Sequence, residues 1–303
     1  MLLTAFGLRF RHLAASAVSL PFVRCAESPG AGEDVTIRLG NTPERLDQAH
    51  VEHGLWSAAP DVFLLRDPHV GGILVRDGTE IVLDPLGGAD PADLRMFLCG
   101  SVMAALLQQR SIIPFHASAV RLGAGAVLFA GTSGAGKSSL LAEFTQRGQA
   151  CLSDDVVGVT LGAGGCPLAL PSYPATKLWE DTIAHFALSQ RPKTRLRSDL
   201  PKHMIAIERF EPAPCPMRAV ILLTGENAGA PALARLSGAD AFAALQRATY
   251  RKRMLQGLGR AATHFALLSS LLSQIPVFAL SRGPGAFSTA QMADAVLGLF
   301  TDA

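Results

Sequence analysis

Apolar and polar positions change their rhythm near residue 110. Before it, the runs VTIRLG (35–40), VFLLRD (62–67), GGILVRDG (71–78) and EIVLDP (80–85) are short and β-type, and each ends in Gly, Asp or Pro. That punctuation predicts hairpins or meanders. PADLRMFLCGSVMAALLQQR (91–110) then reads as one long amphipathic helix, N-capped by Asp90 and bridging two modules. Beyond it strands alternate with helices, which predicts an α/β sheet. FHASAV, AVLFA, ACLSDDVVGVTL, AVILLTG and PVFALSRG are its strands, while SLLAEFTQRG, DAFAALQRATY, AATHFALLSSLLSQI and STAQMADAVLGLF are its helices. Between them, PSYPATKLWEDTIAHF opens as a proline-rich loop and runs into a helix. The expected organisation is a smaller β-rich N-terminal module over 1–110, ending in the long helix, and an α/β domain over 111–303.

Composition narrows the class. With 303 residues, 49% hydrophobic and 17% charged, the chain can bury a large core. A formal charge of +2 supplies no general basic field, so nucleic acid is not an expected partner. The five cysteines (Cys25, Cys99, Cys151, Cys166, Cys215) are odd in number and show no C-x-x-C spacing, so neither a zinc site nor a disulfide framework is suggested. The opening MLLTAFGLRFRHLAASAVSLPF imitates a signal peptide, but Arg9, Arg11 and His12 interrupt its apolar run. No stretch of 18 uninterrupted apolar residues occurs anywhere. The expectation is a soluble cytoplasmic protein with no membrane partner.

One motif brings chemistry. Gly131 to Ser138 fits G-x-x-x-x-G-K-[ST], set between a strand-length apolar run and a helix with Leu140, Leu141 and Phe144 at helical spacing. Its glycines let successive N–H groups turn toward a phosphate, and the helix N-terminus adds its dipole. Lys137 supplies charge to the β- and γ-phosphates of ATP, and the Ser138 hydroxyl is a Mg²⁺ ligand. Lys137 is expected to reach solvent when no nucleotide is bound. Downstream, Asp154 and Asp155 end a short apolar strand, as a metal-binding carboxylate must. In a regular strand they face opposite ways; if the strand is ending, both turn inward, one for metal and one as base. A solvated strand end is the plainer alternative. His116, alone in an apolar segment, reads by itself as a satisfied core histidine, but its position in a strand reaching the same sheet makes it an active-site candidate as well.

Taken together, FHASAV, a turn, AVLFAGTSGAGKSSLLAEFTQRG and ACLSDDVV resemble the catalytic domain of HPr kinase/phosphorylase and its smaller relatives. The resemblance spans about residues 111–160, roughly a sixth of the chain, and is more specific than a phosphate loop alone. It implies an HPr kinase-like P-loop fold for 111–303. It also implies an ATP site over Gly131, Thr132, Ser133, Gly134, Ala135, Gly136, Lys137, Ser138 and Ser139. Metal binding falls to Ser138, Asp154 and Asp155; Asp155 accepts the proton of a substrate serine, and His116 belongs to the active site. Two departures stand out. Ser139 follows the phosphate-loop serine where HPr kinase has glutamate, and PSYPATKLWED (171–181) stands in place of a Glu-Ile-Arg-Gly-type segment. They argue against phosphorolysis and against HPr as acceptor.

The layout is closer to the HPr kinase-related kinases, some of which accompany clusters for ribosomally synthesised peptides and phosphorylate the C-terminal serine of lasso-peptide precursors. The expected activity is an ATP-dependent serine kinase acting on a peptide or protein. A nucleotide-switched binding protein, an HPr-type carrier kinase and a small-molecule kinase remain open, as does a homo-oligomer. On the acceptor side the candidates are Lys177, Trp179, Glu180, Lys202 and Arg251. Glu180 is considered for the missing metal carboxylate, against a role at a helix N-terminus. RPKTRLRSDLPKH (191–203) reads as a mobile basic loop or a solvated charge run, and YRKRML (250–255) as cations at a helix end.

Overall fold

A computed structural model describes residues 1–26, 32–196, 201–226, 229–283 and 288–300. Arg197, part of the expected basic loop, lies outside these residues. The fold is mixed α/β, with two nine-stranded sheets and a small three-stranded one.

The first sheet draws every strand from residues 2–85. Alternation along Val62–Asp67 sends Phe63 and Leu65 to one face and Leu64 to the other, as period-two pleating requires. The helix seals the first of these faces. It runs over Pro91–Phe97 and Met103–Gln109 with a π-helical turn, Leu98–Val102, between them. Asp90 caps it, accepting from the Ala92 N–H at 2.8 Å. The opening residues form the hairpin Leu2–Ala5 and Leu8–His12, turned at Phe6 and Gly7 with positive φ.

In the second sheet, strand Gly125–Ala130 is central and wholly buried, pairing parallel with Cys215–Glu226 and antiparallel with Ala117–Leu122. Its side chains alternate: Ala126, Leu128 and Ala130 meet the helices Gly238–Ala248 and Ala261–Leu272, while Val127 and Phe129 meet Lys137–Gln146 and Thr289–Gly298. A sheet covered on both faces explains why its strands read as unbroken apolar runs. Two expectations need correction. The proline-rich stretch is a loop only to Pro174, because Ala175–Trp179 is a strand and Glu180–His185 a short helix. The basic loop is part of a sheet as well, with Lys193–Arg195 and Lys202–Ala206 pairing beside Ala175–Trp179. Among the described residues no helix is long and apolar enough to cross a membrane.

Candidate functional site

The phosphate loop leaves the central strand at Gly131, whose φ of +155° suits glycine and where a Cβ would sit 2.9 Å from the Leu223 carbonyl oxygen. Gly134 and Gly136 have φ of +82° and +91°, so the loop turns inward before helix Lys137–Gln146 begins at its most positive end. Ser133, Ala135 and Ser139 line the same cleft, while Thr132 contributes its backbone.

Lys137 does not reach solvent. It is 7% exposed, and its Nζ donates to the carbonyls of Gly131 and Thr132 at 3.0 and 2.9 Å and sits 3.1 Å from His116 Nε2. The expectation of a free side chain fails because the loop's own carbonyls lie within reach of a flexible ammonium. Burial depresses its pKa.

His116 sits at the break between strands Ile113–Phe115 and Ala117–Leu122, its N–H donating to Ala248 O at 2.8 Å. Its ring stacks on Tyr250 with centroids 5.5 Å apart. Because Lys137 has only protons to offer, Nε2 is the accepting nitrogen, and Nδ1–H donates to the Asp155 carbonyl at 3.0 Å. Burial, then the Lys137 charge, lowers its pKa and keeps the ring neutral.

The two aspartates lie where strand Cys151–Ser153 has ended and Val157–Leu161 has not begun, so the run ACLSDDVVGVTL is two strands and the first ends at the aspartates. Both turn inward, and their surroundings differ. Asp154, 2% exposed, accepts from Ser118 Oγ (2.6 Å) and Ser138 Oγ (2.9 Å) on one oxygen. Its other oxygen accepts from Thr176 Oγ1 (2.8 Å) and the Lys177 N–H (2.9 Å). Asp155 takes a left-handed φ of +71°, which aspartate tolerates better than most residues. Its Oδ2 lies 2.5 Å from Lys177 Nζ and its Oδ1 3.6 Å from His116 Nδ1. Burial works against ionisation of Asp155, but the Lys177 charge and hydrogen bond outweigh it and hold the carboxyl well below the usual range. Burial likewise opposes the Lys177 charge, and Asp155 again prevails, lifting that pKa.

The other candidates divide. Trp179 is 41% exposed at the cleft, with the Lys202 ammonium 5.4 Å from its ring centre, and both residues line the site. Glu180 does not line it. Its carboxylate pairs with His203 at 3.0 Å at the N-terminus of Glu180–His185, and Asp181 is the acidic residue of that helix that faces the cleft. Arg251 is also outside, exposed with its guanidinium against the Tyr250 ring, because the chain reverses there with a positive φ. Sequence reasoning missed Ser118 and Thr176, which hold Asp154, and Arg282 and Thr289, which line the cleft. Ser118 had a signal: two residues from His116, it shares that residue's side of the chain.

The residues present fit a nucleotide and a metal. Positions of a Cβ at Gly134 and Gly136 meet nothing within 4 Å, leaving the loop open for a phosphate. Ser138 Oγ and Asp154 Oδ1 put a hydroxyl and a carboxylate side by side at the helix start, the hard oxygen donors Mg²⁺ takes.

Neither a protein-family model nor a curated protein matches this chain. Among solved structures it is similar to the Hpr(Ser) kinase/phosphatase from Coxiella burnetii, at 10% identity over 62% of this chain and 92% of that one, with a TM-score of 0.32. At that score the likeness assigns no residue and no activity here.

Proposed function

We propose that the protein is an ATP-dependent kinase that transfers the γ-phosphoryl group to a serine hydroxyl of a peptide or protein. The observation that carries this reading is the unequal state of the two aspartates. Asp154 is saturated and tied to Ser138, as a metal-side carboxylate beside a phosphate loop would be; Asp155 stands in the cleft with His116, Lys137 and Lys177. A nucleotide switch needs only the first.

Gly131 to Ser139 hold the triphosphate, Lys137 neutralises its charge, and Ser138 with Asp154 would hold Mg²⁺, which screens developing phosphate charge when bound. The serine oxygen attacks γ-phosphorus as the bond to the bridging oxygen of ADP breaks. Asp155 takes the hydroxyl proton. Positioning and charge neutralisation supply most of the rate.

For the acceptor we favour an extended peptide ending in serine, as in lasso-peptide precursors. Trp179 and Lys202 at the rim offer a ring and a cation to its end, whereas Lys177 is committed to Asp155 and Arg251 lies outside. The test gives labelled ATP and Mg²⁺ with one of three acceptors: the peptide as free acid, the same peptide amidated, or folded HPr. The acid is expected to be phosphorylated, with KM raised by amidation. Turnover of HPr alone returns the site to carrier-protein chemistry. No transfer to any acceptor, with ATP still bound, favours the switch.

A further inference from the structure

Lys177 is a cleft lysine, buried against Asp155, whose role the phosphate loop does not explain. Its side chain is 10% exposed, yet it lines the cleft, and its Nζ is 2.5 Å from Asp155. The backbone on either side of that contact is fixed. The Lys177 N–H and the Thr176 hydroxyl are both bound to Asp154, which also binds Ser138. Lys177 is therefore registered to the helix start through a single carboxylate, at a fixed offset from any phosphate held there. Only its four-carbon stem remains to move.

The cleft also holds more positive than negative charge. Lys137, Lys177, Lys202 and Arg282 line it against Asp155 and Asp181. Each of the two inner lysines rests on a protein group, Lys137 on carbonyls and His116, Lys177 on Asp155. While that pair stands, one oxygen of Asp155 is occupied by the ammonium and unavailable to a serine hydroxyl.

From this we infer that Lys177 is a second phosphate-binding catalytic residue, resting on Asp155 in the free protein and passing to the γ-phosphoryl oxygens when ATP binds. This rests on the kinase reading given above. The transfer leaves Asp155 free to accept the serine proton while the new O–P bond forms and the bond to the ADP oxygen breaks. The base is thus released only when a phosphoryl group is present to be transferred. ADP, lacking that group, leaves the pair intact.

Discrimination between ATP and ADP is the readout, because it needs no acceptor. Lys177→Gln keeps a donor toward Asp155 and removes the charge, so the fold is retained; Lys177→Arg keeps the charge. Titration calorimetry with MgATP and MgADP is expected to show ATP binding weakened roughly tenfold to a hundredfold in the Gln variant, with ADP unchanged and the Arg variant in between. Lys137→Ala should weaken both nucleotides. An unchanged ATP-to-ADP ratio in Lys177→Gln overturns the inference. A wild-type protein that binds ATP but phosphorylates nothing ends the kinase proposal and leaves the ratio to decide on Lys177. A protein that binds neither nucleotide ends both.

Discussion

At the scale of single residues, Asp154 and Asp155 are neighbours with separable consequences. Asp155→Asn keeps the shape but cannot take a proton, so turnover should fall by roughly 10² to 10⁴, while ATP affinity falls much less. The melting temperature should fall as well, because Lys177 is left buried without its counter-charge. Asp154→Asn turns one of two accepting oxygens into a donor facing other donors, at a cost of about 1–3 kcal/mol. Its distinguishing mark should be a higher Mg²⁺ requirement, read from activity against metal concentration; an unchanged requirement would place the metal elsewhere. A third residue-scale effect lies far from the cleft. His12 is 1% exposed, its Nε2 bonds the Val18 carbonyl and its Nδ1 has no partner. Burial lowers its pKa below 6.5, and the same holds for His116 and His264. Unfolded histidines therefore bind protons that the folded ones refuse, so stability is complete above about pH 6.5 and declines as pH falls below it. Calorimetry should show a lower melting temperature at pH 5.5 than at 7.5, with a smaller difference in His12→Gln.

At the scale of elements, the phosphate loop is the best test of what a strand-loop-helix unit requires. At Gly136 a Cβ would meet nothing within 4 Å, yet φ is +91°, so any cost of Gly136→Ala is backbone strain rather than collision. A side-chain-bearing residue in that region costs about 1–2 kcal/mol. The expected result is a melting temperature lower by a few degrees and a clear loss of ATP affinity, measured by calorimetry with and without MgATP. Full affinity at an unchanged melting temperature would show that the turn does not depend on glycine. This unit was legible because everything it needs lies within some twenty consecutive residues: apolar strand, glycines, lysine, serine and apolar helix spacing. What holds Asp154 at the strand end was not legible in the same way. The partners of that carboxylate, Ser118 and Thr176, come from 36 residues before and 22 after, and it is their convergence that ends the strand. Composition hid a strand in two other places. The small apolar residues of the opening segment imitate a signal peptide, and Arg9, Arg11 and His12 argue against one, but it is period-two alternation along Leu8–His12 that marks a strand with one buried face. The basic residues of 191–203 suggest a mobile loop or a solvated charge run, while pairing with Lys202–Ala206 makes part of the segment a sheet edge.

At the scale of the whole molecule, the question is whether the two large sheets behave as separate units, as the change of pattern near residue 110 suggests. The packing argues for one cooperative body. The core under the first sheet takes in Leu170, Tyr173, Met254 and Leu258 from the second half of the chain. Polar contacts cross as well: the Phe6 N–H donates to Pro171 O at 2.6 Å, and Arg260 pairs with Asp61. One of these links reaches the cleft. Gln108 Nε2 donates to the Tyr250 carbonyl at 3.1 Å, and the Tyr250 ring stacks on His116, so the end of the long helix helps to position a histidine that lines the cleft. Unfolding the first sheet would remove that support and open the shared apolar core to water, so neither half has a favourable state without the other. The two tryptophans make this measurable. Trp56 lies in the first sheet and Trp179 at the cleft. Single-tryptophan variants, Trp179→Phe and Trp56→Phe, each report one half by fluorescence during urea unfolding. Coincident midpoints and slopes are expected, with MgATP raising both midpoints although it binds only beside Trp179. A Trp56 transition at lower urea, unmoved by MgATP, would show that the N-terminal sheet folds and melts by itself.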